Sequence, residues 1–220
     1  MVAKRGGLSY VTNVIARRLK KTSDVAPYHS PFYFHRLTQF EYLPLRSFDI
    51  VFLGDSLTNE AEWSELFQDS KIKNRGISGD TTEGILKRLH PILNSKPQKV
   101  FLMIGINDIK AGVPVAEIIQ NYAEILTTIQ HQVPATKVFI ESLLPLSSKL
   151  FGERTNQTVI QVNEQLKQLA EKFSYPYIDL YSQFLSATGE LDPHYSLDGL
   201  HLNGPAYDRW RQLIKEYVLS

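Results

Sequence analysis

Short apolar runs alternate with amphipathic stretches along most of this chain. The run Ile50-Val51-Phe52-Leu53 is rich in β-branched and aromatic residues and too short to cross a membrane. It reads as a buried strand over 48–53, and a helix over 57–67 should follow. The pattern then repeats. A short strand is expected over 71–74 with a helix over 81–93, and a third strand over 99–104 with a helix over 114–132. A fourth strand over 137–142 leads through a loop, 143–152, to an amphipathic helix over 154–173. A fifth strand over 177–180 precedes a long irregular stretch, 181–202, and a last helix over 204–217. Pro205 falls in the first turn of that helix, where its missing N–H costs nothing. Strands alternating with helices imply right-handed crossovers and a parallel sheet. The expected class is α/β: three layers, α/β/α, around five parallel strands in the flavodoxin-like order 2-1-3-4-5.

Residues 1–47 precede this pattern and read as an N-terminal extension packed on a domain of residues 48–220. Pro27, Pro31 and Pro44 punctuate it. The cluster Tyr28, Phe32, Tyr33, Phe34, Phe40 and Tyr42 is too aromatic for a disordered segment, and 31–43 should be helical in part. Residues 11–21 have the pattern of a short basic amphipathic helix. Its apolar face is small, which favours a solvated helix packed on the domain over a membrane anchor.

The 220 residues suffice for one substantial domain. A net charge of +1 implies no nucleic acid or other polyanionic partner. The absence of cysteine removes disulfides, thiolate metal sites and a cysteine nucleophile. No stretch has the apolar core of a signal peptide or the length of a membrane span, so a cytoplasmic protein without stable membrane insertion is expected.

The chemistry-bearing residues fall in loops that a parallel sheet gathers at the carboxyl ends of its strands. Asp55-Ser56 stands at the first strand-to-helix corner. The Ser56 N–H there opens a helix, where amides lack internal partners and the dipole favours negative charge. That setting suits a nucleophile whose attack creates an oxyanion; a plain helix cap is the other reading. The loop after strand two, Asn74 to Thr82, holds Gly76 and Gly79, which allow positive φ and exposed amides, with Asp80 and two threonines placed to cap the next helix. It reads as a turn with a cap. A phosphate cradle would call for a GxGxxG or GxxxxGK[ST] pattern that is not there. After strand three, Asn107 is a turn residue or, through its two amide N–H donors, an oxyanion donor. In Asp198-Gly199-Leu200-His201 the acid and the imidazole are three apart. They can face the same way, the histidine accepting a serine proton while the carboxylate fixes its tautomer. A metal reading would recruit Asp192, His194, Asp198 and His201, but the spacing matches no metal signature. His29 and His35 lie in the extension without spaced partners and read as structural or surface residues.

The blocks GDSL at 54–57, NRGISGD at 74–80, GIND at 105–108 and DGLH at 198–201 occur in this order. Together they resemble the GDSL esterases, or SGNH hydrolases. GISGDTT followed by Arg88-Leu89 is similar to the branch containing the catalytic subunits of platelet-activating-factor acetylhydrolase. The resemblance covers about 48–218. It implies the SGNH hydrolase fold, Ser56 as nucleophile, His201 as general base and acid, and Asp198 as the group orienting His201. It also implies an oxyanion hole made of the Ser56 N–H, the Gly79 N–H and the Asn107 amide. The serine turn lacks the second glycine of the G-x-S-x-G elbow, which separates it from the α/β-hydrolases.

The expected function is a serine esterase or acylhydrolase, a carboxylic ester hydrolase working through an acyl-serine without metal or organic cofactor. The partner is a small-molecule ester: a small metabolite, sugar or lipid. The acyl pocket is expected from Leu57 and the loops 143–152 and 181–197, with Leu143, Leu144, Phe151 and Tyr195. No long lid is visible, which favours short acyl or acetyl groups. The other readings are a non-catalytic acyl- or carbohydrate-binding module on the same fold, against which the intact Ser56, Asp198 and His201 argue, and a flavodoxin-like nucleotide or phosphate binder. Nothing in the chain reads out an oligomeric state.

Overall fold

In the computed structural model, residues 30–220 are described, and the expected helix over 11–21, Tyr28 and His29 lie outside them. The apolar runs form one parallel sheet. Its strands are β1 (Ile50–Gly54), β2 (Ile72–Gly76), β3 (Lys99–Met103), β4 (Lys137–Glu141) and β5 (Tyr177–Ile178). Their order is β2-β1-β3-β4-β5, with every neighbouring pair parallel. This is the order expected from the alternation. Ile50, Val51, Phe52 and Leu53 are buried on both faces, as central strands of a parallel sheet are.

α1 (Pro31–Glu41) precedes the sheet, the crossovers are carried by α2 (Ser56–Asn59), α3 (Trp63–Phe67), α4 (Thr82–Asn94), α5 (Ile106–Lys110), α6 (Val115–Gln132), α7 (Ser148–Phe151) and α8 (Glu153–Phe173), and α9 (Gly204–Leu219) follows β5. Phe101 stacks between Phe52 and Phe139, with centroids 4.8 and 4.6 Å away, so aromatic rings bridge the three central strands. Trp63 stacks on Phe52 at 4.2 Å and meets Trp210 of α9 edge-on at 5.0 Å. Lys99 is buried at the start of β3 because its ammonium donates to the carbonyls of Tyr217 and Val218, the unpaired end of α9.

The structure departs from the expected elements at four places. The helix expected over 57–67 is two helices. Asn74 donates to the carbonyls of Thr58, Asn59 and Ala61, and the Trp63 indole N–H donates to Thr58 as well. Carbonyls held by these side chains cannot continue an i→i−4 ladder. Asn107, read as a turn residue, lies instead in the first turn of α5, which Gly105 precedes as N-cap. The loop over 143–152 contains α7. In the extension, Tyr33 is buried against Ile77 while Phe32, Phe34 and Tyr42 stay exposed, so only part of the aromatic cluster packs inward.

Two asparagines seven residues apart on α8 shape the loop after β4. Asn163 brackets the N–H and C=O of Leu143, and Asn156 those of Leu146. The loop in turn accepts the chain's last loop through Ser147 N–H to Gly199 O at 2.9 Å. This contact carries the DGLH segment to the carboxyl edge of the sheet. No helix among the described residues is long and apolar enough to cross a membrane.

Candidate active site

Ser56 is the first residue of α2, directly after β1. Asp55 caps this helix, its Oδ1 accepting the Leu57 N–H at 3.0 Å, so the serine is held at the start of the helix and 6% exposed. Its amide has no helical partner. His201 Nε2 lies 3.1 Å from Ser56 Oγ, and His201 Nδ1 lies 2.7 Å from Asp198 Oδ2. The carboxylate also accepts the backbone N–H groups of His201 and Leu200 at 2.8 and 3.0 Å. Partial desolvation works against its charge. The His201 hydrogen bond and those two amides outweigh this and hold the carboxyl down to about 2. Asp198 is therefore an anion across the whole neutral range, and the imidazole nitrogen facing it is held as its donor. An imidazole so oriented can take a proton at Nε2 from the serine hydroxyl.

The glycine loop and α5 complete this edge. Gly79 has φ +82, a conformation that strains any residue with a Cβ. Gly76, expected in the turn, is instead the last residue of β2. A Cβ there would sit 2.3 Å from the Asn59 N–H nitrogen, so its bareness lets α2 approach the sheet. Asn107 donates one amide hydrogen to Asp80 O at 2.9 Å, which fixes the side chain and leaves its second N–H available.

Asp80 is not the helix cap suggested by its position; Thr81 caps α4, its hydroxyl accepting the Gly84 N–H at 3.1 Å. Asp80 instead pairs with Arg88 at 2.7 Å, both nearly inaccessible to solvent. Arg88 also donates to Arg75 O and Gly54 O at 2.8 and 3.0 Å. One guanidinium thus ties the ends of β1 and β2 to the glycine loop. Burial pushes the Asp80 carboxyl upward, and Arg88 opposes that push. Asp108 accepts from the Thr82 N–H and hydroxyl, joining α5 to the start of α4.

Asp55 Oδ2 is buried without a hydrogen-bond partner among the described residues. Burial raises this carboxyl to about 7; Asp80 and Asp108 push the same way, and the Leu57 N–H and His201 oppose them.

Of the residues expected to line an acyl pocket, Leu57, Leu143 and Leu144 are buried in the main core. Phe151 is half-buried, with the Lys110 ammonium 5.2 Å from its ring centre, and Tyr195 packs edge-on against Phe184 at 5.1 Å. Asp192 and His194 sit in the irregular stretch, where Asp192 Oδ1 accepts the His194 N–H and Asn203 donates to His194 O. Among the described residues, no group of three or more His, Cys, Asp or Glu is placed to hold a metal ion.

Sequence reading assigned no role at this site to two residues, Arg88 and Glu60. Arg88 had a visible signal: it is a charged residue among Ile85, Leu89 and Ile92 on the apolar face of an amphipathic helix, which requires a buried counter-charge. Glu60 is four residues after Ser56, the spacing that returns to the same helix face. Its Oε1 lies 3.9 Å from His201 Nε2.

The family model described as GDSL-like Lipase/Acylhydrolase matches residues 52–209. This chain belongs to the GDSL-like lipase/acylhydrolase family. Its similarity to the Platelet-activating factor acetylhydrolase IB subunit alpha2 of Gallus gallus is 30% identity over 182 residues, 78% of this chain and 76% of the relative. A Streptococcus pneumonia structure, described provisionally as a platelet activating factor, aligns with a TM-score of 0.78 and 26% identity. It covers 96% of this chain and 100% of that one. A GDSL-like lipase from Bacteroides thetaiotaomicron shares the fold with a TM-score of 0.75 at 22% identity, over 84% and 97% of the two chains. As a GDSL family member, the chain is an ester-cleaving hydrolase.

Proposed function

We propose that this chain is a serine esterase for short-acyl, chiefly acetyl, esters, and that residues 48–220 form its catalytic domain with 1–47 as an extension. The observation that carries the reading is the unbroken hydrogen-bonded chain from Ser56 through His201 to Asp198. Ser56 Oγ attacks the ester carbonyl carbon as His201 Nε2 takes its proton. The carbonyl oxygen becomes an oxyanion received by the Ser56 N–H, the Gly79 N–H and the free N–H of Asn107. On collapse the C–O bond to the alcohol breaks, and His201 returns the proton to the departing oxygen. A water then attacks the acyl-serine, giving its proton to His201, and Ser56 leaves with that proton restored. Asp198 stays ionised throughout and stabilises the imidazolium. Every step uses side chains, backbone amides and water.

The acetyl preference is supported by the name of the acetylhydrolase relatives. The test is hydrolysis of p-nitrophenyl esters from acetate to palmitate by the wild type and Ser56→Ala. Rates should fall with chain length, and the variant should lose hydrolysis while keeping its fold by circular dichroism. Undiminished hydrolysis by Ser56→Ala would sink the assignment.

A further inference from the structure

The nitrogen of His201 that faces the serine has a second neighbour. Glu60 Oε1 is 3.9 Å from Nε2, and the two side chains are 42% and 37% exposed. Glu60 follows the last residue of α2, and its N–H donates to Ser56 O at 2.9 Å. Its backbone is therefore locked to the nucleophile's own turn, and its carboxylate stands on the open side of the base. Nε2 is also the atom that hands the proton to the leaving alcohol. A departing oxygen within hydrogen-bond distance of it, about 3 Å, lies no more than about 7 Å from the Glu60 carboxylate, taking the 3.9 Å separation into account. Among the described residues, Glu60 and Asp198 are the two carboxylates within ion-pair distance of the His201 ring. Tyr207 donates its hydroxyl to Leu57 O at 2.9 Å. Burial first, then Glu60 and Asp55, hold its phenol well above the usual range, so the field of Glu60 reaches across this wall.

Building on the esterase reading, we infer that Glu60 is the specificity residue for the alcohol half of the substrate. It selects esters that carry a cation a few bonds beyond the ester oxygen and rejects those that carry an anion there. A half-exposed carboxylate gives a modest effect. Exposed ion pairs shift an equilibrium or rate by up to about fivefold, and added salt screens them.

The experiment compares kcat/KM for acetylcholine, its uncharged tert-butyl isostere and an acetyl ester of matched length ending in sulfonate. Wild type should favour the cation over the isostere by a factor of about 1.4 to 5 at low ionic strength, and disfavour the sulfonate by a similar factor. Both ratios should approach one as salt is raised. Glu60→Gln should bring them near one at any salt, and Glu60→Lys should invert the order. Ratios that are the same in wild type and Glu60→Gln overturn the inference. So does an equal fall on all three esters, which would assign Glu60 to support of the imidazolium instead. Failure of the parent reading looks different: wild type would then cleave none of the three, and a fluorophosphonate would leave Ser56 unlabelled, which overturns both.

Discussion

Replacing Asp55 by asparagine is expected to stabilise the protein increasingly as pH rises. The folded carboxyl is raised from 3.8 to about 7 because it is buried with one oxygen unpartnered. The unfolded chain has released this proton by pH 5, whereas the folded chain keeps it until about pH 7. The folded state therefore binds the extra proton across that window, and stability falls as pH climbs through it. Each pH unit over which only the folded carboxyl holds its proton is worth about 1.36 kcal/mol, so ionising it between pH 5 and pH 8 removes roughly 2–3 kcal/mol. Glu141, buried and raised to about 8, adds a slope of the same sign to the wild type. The difference between variant and wild type removes that shared contribution. Asparagine keeps an oxygen for the Leu57 N–H, so the helix cap survives. Its amide in place of the unpartnered Oδ2 adds a cost that does not depend on pH. The assay is urea unfolding of both proteins at pH 5 and pH 8. The advantage of Asp55→Asn should grow by about 2–3 kcal/mol between them. An offset that stays constant with pH would show that Asp55 titrates normally and would refute the burial argument.

Two further substitutions test the parts around the nucleophile. Asn107→Ala should lower kcat by roughly 10²–10³ with little change in KM, since the lost N–H acts on charge that develops only in the transition state; a wild-type kcat would remove Asn107 from the oxyanion site. Arg88→Met strands Asp80 without its cation and should cost about 3–5 kcal/mol in urea unfolding, with part of the loss recovered by adding Asp80→Asn. A loss near zero would mean that the buried pair contributes nothing to holding the glycine loop.

The parts legible in the sequence are those whose signal is local. Continuous apolar runs such as 50–53 and 100–104 announce buried parallel strands. Their alternation with amphipathic helices leaves few arrangements other than the order observed, because right-handed crossovers exclude the rest. That Ser56, Asn107 and the Asp198–His201 pair meet at one edge was legible because each lies beyond the carboxyl end of a strand: Ser56 and Asn107 in the first turn of the helix after β1 and β3, and the pair in the long stretch after β5. What stayed hidden depends on groups distant in sequence. The break between α2 and α3 is made by Asn74, which reaches back 13 to 16 residues to three carbonyls; residues 57–67 alone carry a helical pattern. Asp80 sits where a cap would sit, and only the arrival of Arg88 eight residues later turns it into a buried ion pair. That pair explains why the site is built where it is. Arg88 binds the carbonyls at the ends of β1 and β2, and Asp80 presents its own carbonyl to Asn107. The glycine loop and the asparagine are thereby referenced to the strand that carries the serine. The acids Asp55, Asp80 and Asp108 are the energetic counterpart of this arrangement: their carboxyls are raised by burial at the sheet edge, and Arg88 offsets that burial for Asp80. Stability is given up at the edge where geometry has to be held, which is why Asp55→Asn and Arg88→Met should move stability in opposite directions.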